Sequence, residues 1–156
     1  MDNVRLALDV RGEHGPAAVA RAKGALATVG LAHKLKSYPR QLSGGEQQRV
    51  AIARAIVGKA AAILADEPTA ALDSQNGHAI MEVLARIAED PNRAVLVVTH
   101  DPRIVPFAKR IVRIEDGCIV GEERNVAPQG EQHSTIEQRD IDDERGVVVK
   151  RKWMQR

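Results

Sequence analysis

The chain has 156 residues, of which 44% are hydrophobic and 28% charged, and its formal net charge is +2. That length reads as one domain able to bury roughly two thirds of its unfolded surface, and a near-balanced charge without a long basic block argues against a dedicated nucleic-acid surface. A single cysteine, Cys118, excludes an internal disulfide and fits a reducing compartment; no apolar run approaches the ~18 residues of a membrane span, and Met1-Asp2-Asn3-Val4-Arg5 carries no apolar signal core.

Along the chain, Val4, Leu6, Leu8 and Val10 alternate, which suits a strand, a short helix or an extended arm equally. Pro16 to Val29 reads as a helix, with Pro16 in its first turn and Gly30 at its C-terminal end. Leu31 to Lys36 is a short helical piece, closed by Ser37-Tyr38-Pro39. A helix is expected from about Gly44 to Val57, stopped by Gly58. Ala60 to Ala65 lies between that break and Pro68, and its length suits a strand buried on both faces of a parallel sheet. Asp73-Ser74 opens the next helix, where Ile80, Val83, Leu84 and Ile87 share one face. Ala94 to Thr99 is the clearest strand. A short helix at Arg103–Lys109 follows, then two strands around Asp116-Gly117, a two-residue hairpin signal. Residues 123–145 are polar and aperiodic and read as a loose tail. Val147-Val148-Val149 could pair as a short strand or stay unpaired, and Trp153 reads as a docking contact or a solvated residue. Strands alternating with helices imply an α/β fold with a mostly parallel sheet.

Two stretches carry chemistry. In Ser43-Gly44-Gly45-Glu46, Ser43 and Glu46 stand at capping-box spacing. The two glycines leave the backbone open to close approach. Free amides at a helix N-terminus form an anion site; the plainer alternative is an ordinary capped surface helix. The second set lies at strand ends, where ligands of open parallel sheets gather. Asp66-Glu67 after one strand suits a hydrated magnesium ion beside a water-activating base. His100 after the other could bond a γ-phosphate or orient that water. A charged turn and a surface histidine are the plain alternatives.

Four stretches follow in one order: Leu42-Ser43-Gly44-Gly45-Glu46-Gln47, Ile63-Leu64-Ala65-Asp66-Glu67-Pro68-Thr69, Ala71-Leu72-Asp73 and Val97-Val98-Thr99-His100-Asp101. The chain thereby resembles the ATP-binding subunits of ABC transporters, from about Asn3 to Glu122. The stretches look like the signature motif, Walker B with its catalytic glutamate, the D-loop and the H-loop. Glu-Gln-Gln-Arg-Val-Ala-Ile-Ala-Arg-Ala and Asp-Glu-Pro-Thr-Ala-Ala-Leu-Asp are most similar to exporter ATPases of the macrolide-export and lipoprotein-release type, with the glycolipid-exporter branch named DevA. The resemblance implies a P-loop NTPase-like core at 43–122, a remainder of the helical subdomain at 1–42 and a tail at 123–156. It implies ATP and Mg2+ as ligands, with Asp66 holding the metal through water. Glu67 would be the general base and His100 the γ-phosphate contact. Ser43, Gly44, Gly45 and Gln47 would meet ATP held by the opposite subunit, and Asp73 would belong to the loop joining two subunits. The implied partners are a second ATPase subunit and membrane permease subunits, at the inner face of the cell membrane.

One part of the family's pattern is missing. No Gly-x-x-x-x-Gly-Lys-Ser/Thr occurs, and the one Gly-Lys, Gly58-Lys59, is followed by Ala60. The expectation is therefore the C-terminal part of such a subunit, truncated before its phosphate loop and inactive alone. In related sheets the phosphate-loop strand lies beside the strand ending at His100, so that strand is expected to show an unpaired apolar edge. Two other readings stand beside the exporter ATPase. One is a non-catalytic module offering its signature helix to a partner's ATP. The other is a DNA-repair or condensation ATPase, which the lack of a heptad run disfavours.

Overall fold

The computed structural model describes residues 1–125 and the backbone of 146–151. Three helices open the chain: α1 (Asp2–Asp9), α2 (Gly15–Thr28) and α3 (Gly44–Ile56), with short 3-10 turns at Ala32–Lys34 and Pro39–Gln41. The ambiguous N-terminal stretch is helical because Val4 and Leu8, one turn apart, are both buried. Strand β1 (Ala62–Asp66), helix α4 (Ser74–Ile87) and strand β2 (Ala94–Thr99) follow. A 3-10 segment at Pro102–Phe107 leads to the hairpin β3 (Arg110–Glu115) and β4 (Cys118–Arg124), and β5 is Gly146–Arg151. Asp116 and Gly117 both take positive φ, 50° and 80°, as a tight two-residue hairpin turn requires.

The five strands run in the order β1-β2-β5-β3-β4. β1, β2, β5 and β3 are mutually parallel, and only β4 is antiparallel. A mostly parallel α/β sheet is thus present as expected. One buried cluster joins Leu8, Leu26 and Ile56 of the N-terminal helices to Ile63, Ile80, Leu84, Val95 and Val97. No helix among the described residues is long and apolar enough to cross a membrane.

Three expectations are corrected. β1 is not buried on both faces: Ile63 is 5% exposed but Leu64 is 76% exposed. Alternation puts Ile63, Val95 and Val97 on the helix-covered face, while Leu64 stands on the other. The strand ending at His100 has no bare edge either. β1 pairs with one side of β2, and Gly146–Arg151 pairs with the other over Val95–Thr99. Residues 147–149 pair rather than stay loose, and they fill the position expected to be empty. Of the stretch expected to be a loose tail, Glu123 and Arg124 instead pair with β3 as the end of β4; residues 126–145, and Trp153, lie outside the described residues.

Candidate functional site

The first functional cluster is assembled by parallel register. Asp66 of β1 pairs with Val98 of β2, so the residue after Asp66 meets the residues after Val98. Glu67 leaves the strand with φ of 45°, a left-handed conformation uncommon outside glycine. Its backbone N–H still donates to the Val98 carbonyl at 2.8 Å, which anchors the turn to β2. The Glu67 carboxylate then accepts three hydrogen bonds. The Thr99 hydroxyl donates to Oε2 at 3.0 Å, the His100 backbone N–H donates to Oε1 at 3.0 Å, and His100 Nδ1 lies 2.6 Å from Oε1. A carboxylate offers about four acceptor sites, so about one remains for a water. The His100 side chain is 73% exposed and that of Glu67 33%. The ring is therefore pinned at Nδ1 and open at Nε2.

Thr99 is the residue that sequence reasoning gave no role. It is fully buried. Its hydroxyl donates to Glu67 and also accepts from the Asp101 backbone N–H at 3.0 Å. A hydroxyl at an alternation-buried position of an apolar run was the available signal. Asp101 in turn accepts from Arg103 Nε and Nη2, which hold its carboxyl below the usual range, and Arg103 Nη1 donates to Ser74 Oγ at 2.9 Å. The end of β2 is thereby tied to the start of α4.

The second cluster is the start of α3. Ser43 is its N-cap and the capping box is complete: Ser43 Oγ accepts from the Glu46 N–H at 3.2 Å, and Glu46 Oε2 accepts from the Ser43 N–H at 2.9 Å. The Ser43 N–H and then Lys34, whose ammonium is 3.2 Å from Glu46, hold that carboxyl below its ordinary value. Gln47 Nε2 donates to the Leu42 and Pro39 carbonyls at 3.0 and 3.3 Å, so its side chain braces the preceding turn.

The two glycines have different reasons. Gly45 is buried, and a Cβ there would lie 2.7 Å from Asn76 Oδ1 of α4. Its missing side chain serves helix packing. Gly44 is exposed, with only Leu72 at 3.5 Å from a hypothetical Cβ, and it is the one left open to a ligand. Asp73 is the N-cap of α4. It accepts from the Asn76 N–H at 2.9 Å and from Asn76 Nδ2 at 2.7 Å, and the first of these lowers its pKa. Asn76 therefore links Asp73 to Gly45, a connection unseen in the sequence because Asn76 lies in no motif.

Asp66 is exposed at the end of β1, beside Glu67. Among the described residues no group of three or more His, Cys, Asp or Glu could cage a metal. One open carboxylate does suit an ion that keeps most of its water, as magnesium does. A cavity of about 170 Å³ opens between Thr69, Asp73, His78, Arg103 and Phe107. It is smaller than the ~300 Å³ lower range of ligand pockets.

The carboxylate–histidine pair lies at the carboxyl edge of a parallel sheet and the Ser-Gly-Gly stretch at a capped helix start; the fold that carries them matches that of ABC ATPase cassettes, the P-loop NTPase fold. Residues 2–70 match the family model described as ABC transporter, and the chain belongs to that family. It is 47% identical over 128 residues to the macrolide export ATP-binding/permease protein MacB 1/2 of Paracoccus denitrificans, covering 82% of this chain and 19% of that protein. It is 45% identical over 117 residues to the lipoprotein-releasing system ATP-binding protein LolD of Bordetella pertussis, covering 75% and 51%. The dimeric bacterial ABC transporter cassette MJ0796 superposes with a TM-score of 0.65 at 41% identity, covering 78% of this chain and 54% of that one. Its post-hydrolysis dimer bound to ADP and Pi gives 0.60 at 43%, covering 71% and 48%. The chain thus spans about half of the length of LolD and MJ0796 and a fifth of MacB.

Proposed function

We propose that this chain is the signature-to-H-loop part, at 43–122, of an exporter ATPase, with residues 1–42 from its helical subdomain. The Glu67–His100 pair carries the reading. Glu67 has one acceptor site left to take a proton from a water, and Thr99 and His100 hold the carboxylate in place while it does so. His100, pinned at Nδ1, presents Nε2 toward a γ-phosphate. Asp66 would hold magnesium through water, and the ion would offset charge on the phosphates. In a dimer, Ser43 and Gly44 would face the ATP of the other subunit, with Gln47 bracing the turn behind them and Gly45 setting the approach of α4. The likeness to MacB and LolD supports a membrane permease as the driven partner, with the ATPase seated on the cytoplasmic face.

ATP is to be held by a phosphate loop, and this sequence has none. The chain alone is therefore expected to bind micromolar ATP weakly or not at all; tight magnesium-dependent binding in a calorimetric titration would refute this. The decisive experiment joins a phosphate-loop half ahead of Met1 and follows ATP turnover. Turnover that survives Glu67→Gln shows that the base is wrongly assigned. A second reading rests on the exposed Gly44 at a completed cap: a module that serves only a partner's ATP. Adding the chain to an intact cassette and finding its hydrolysis and dimerisation unchanged removes that reading.

A further inference from the structure

The cavity between the start of α4 and the 3-10 segment at Pro102–Phe107 holds a polar group that the hydrolysis reading leaves unused. Thr69 is 6% exposed, and no neighbour among the described residues bonds its hydroxyl. Its Cβ and Cγ2 face Gly77, 3.5 and 3.6 Å from where a Cβ on that glycine would stand. Among the described residues no completely enclosed side-chain oxygen or nitrogen lacks a partner. The Thr69 hydroxyl therefore reaches open space, and the space that Thr69 lines is this cavity. A hydroxyl so deeply buried and unbonded is costly, and a ligand atom that bonds it recovers that cost. The walls beside it are apolar or aromatic. Met81 and Ile104 are buried, and Phe107 meets the His78 ring edge-on at a centroid distance of 4.9 Å. The volume of about 170 Å³ admits one benzene-sized group, since apolar cavities of ~150 Å³ take benzene. The charge at the rim is negative. Arg103 is engaged by Asp101 and Ser74, and His78 Nε2 lies 3.4 Å from Glu82. Asp73 is exposed, takes its side-chain bonds from Asn76, and has no cation beside it among the described residues.

We propose that this cavity is a binding site for a small aromatic cation, a single ring that carries an ammonium or amidinium group. The ring fills the space between Met81, Ile104 and Phe107. Its N–H donors go to the Thr69 hydroxyl oxygen and to the Asp73 carboxylate at the rim. Such an occupant would touch the turn after β1, the start of α4 and the segment that follows His100, and so would hold the end of β2 against α4. The inference does not depend on nucleotide, so it stands or falls apart from the hydrolysis reading.

The test follows NMR shifts of the isotope-labelled full chain at neutral pH as benzylamine, benzyl alcohol or phenylacetate is added. Benzylamine is expected to bind saturably with a Kd on the order of 1 mM, in scale with its few atoms, and to shift Thr69, Asp73, Met81, Ile104 and Phe107. Phenylacetate has the same ring and the opposite charge, and should bind about ten-fold more weakly or not at all. Asp73→Asn keeps the helix cap. It should weaken benzylamine about five-fold and leave benzyl alcohol unchanged, because only the ammonium loses a charge-assisted bond. Thr69→Val should weaken both by about five-fold, the value of one hydrogen bond. Shifts that never saturate, equal binding of benzylamine and phenylacetate, or unchanged benzylamine affinity in either variant overturns the proposal. If Thr69→Val does not fold, the comparison of probes on the unaltered chain and on Asp73→Asn decides by the same outcomes.

Discussion

The start of α3 and the edge of β1–β2 are both polar clusters around one carboxylate, and they are built in opposite ways. Ser43 and Glu46 are three residues apart, and each bonds the other's backbone N–H. Glu67 and His100 are thirty-three residues apart and meet only because β1 and β2 pair in one register. The local cluster satisfies itself and leaves little beyond Gly44 to offer a ligand. The long-range cluster keeps an exposed ring and a spare acceptor site. Self-satisfied geometry is a mark of structure, and incompletely satisfied geometry is a mark of chemistry.

Substitutions can break this contrast, and the largest effect belongs to the long-range cluster. In the chain completed with a phosphate-loop half, Glu67→Gln is expected to lower the turnover rate by ~10²–10⁴-fold, the range of general-base catalysis. Fold stability, measured by urea unfolding, should hardly move. A matching loss of stability would mean that Glu67 is a structural strut like Glu46. Gly45→Ala comes next. The new methyl would collide with Asn76, itself tied to Asp73, so a loss of ~1–3 kcal/mol in unfolding free energy is expected. An unchanged midpoint would return Gly45 to the role of ligand approach.

Thr99→Val keeps the shape and removes a donor from Glu67 and an acceptor from Asp101. It should cost ~1–2 kcal/mol by the same urea measurement, with turnover falling further than Ser43→Ala lowers it. Ser43→Ala should cost ~1 kcal/mol, the value of an N-cap.

The smallest effect is one of pH. Asp73 and Glu46 have lowered pKa values in the folded chain. Their contribution is complete above the ordinary carboxylate values of ~4 and is lost as pH falls through the lower folded values. Asp73→Asn keeps a good cap but cannot titrate. It is expected to leave neutral stability nearly unchanged and to flatten the acid limb of a thermal-melting series from pH 7 to 3. An acid limb as steep as before would show that Asp73 does not set it.

Much of this was legible because the cues are local. The bounds of α3, α4 and β2 follow from Gly58, Asp73 and the run Ala94–Thr99, and the hairpin follows from Asp116-Gly117. The Ser43–Glu46 box follows from its spacing alone. The order of four short stretches was enough for the family. Asn76 and Thr99 were not legible as site residues, since nothing in their neighbourhoods says which helix or carboxylate they would touch. Gly45 was legible as a position needing no side chain, but not that Asn76 of α4 fills the room beside it.

By itself, the sequence determined that α2, α3, α4, β2 and the β3–β4 hairpin form, which carboxylates stand at strand ends, and that it contains no Gly-x-x-x-x-Gly-Lys-Ser/Thr run, while it left residues 4–10 and 147–149 open. Those features depend on side-chain period, caps and turn residues, which act over a few positions. The tertiary structure alone decided that Glu67 meets Thr99 and His100, that Leu64 faces away from the core, and that residues 146–151 close the sheet. Strand pairing is main chain to main chain. Its partners are chosen by register and by vacancy in the sheet, and neither is written in any short run of residues.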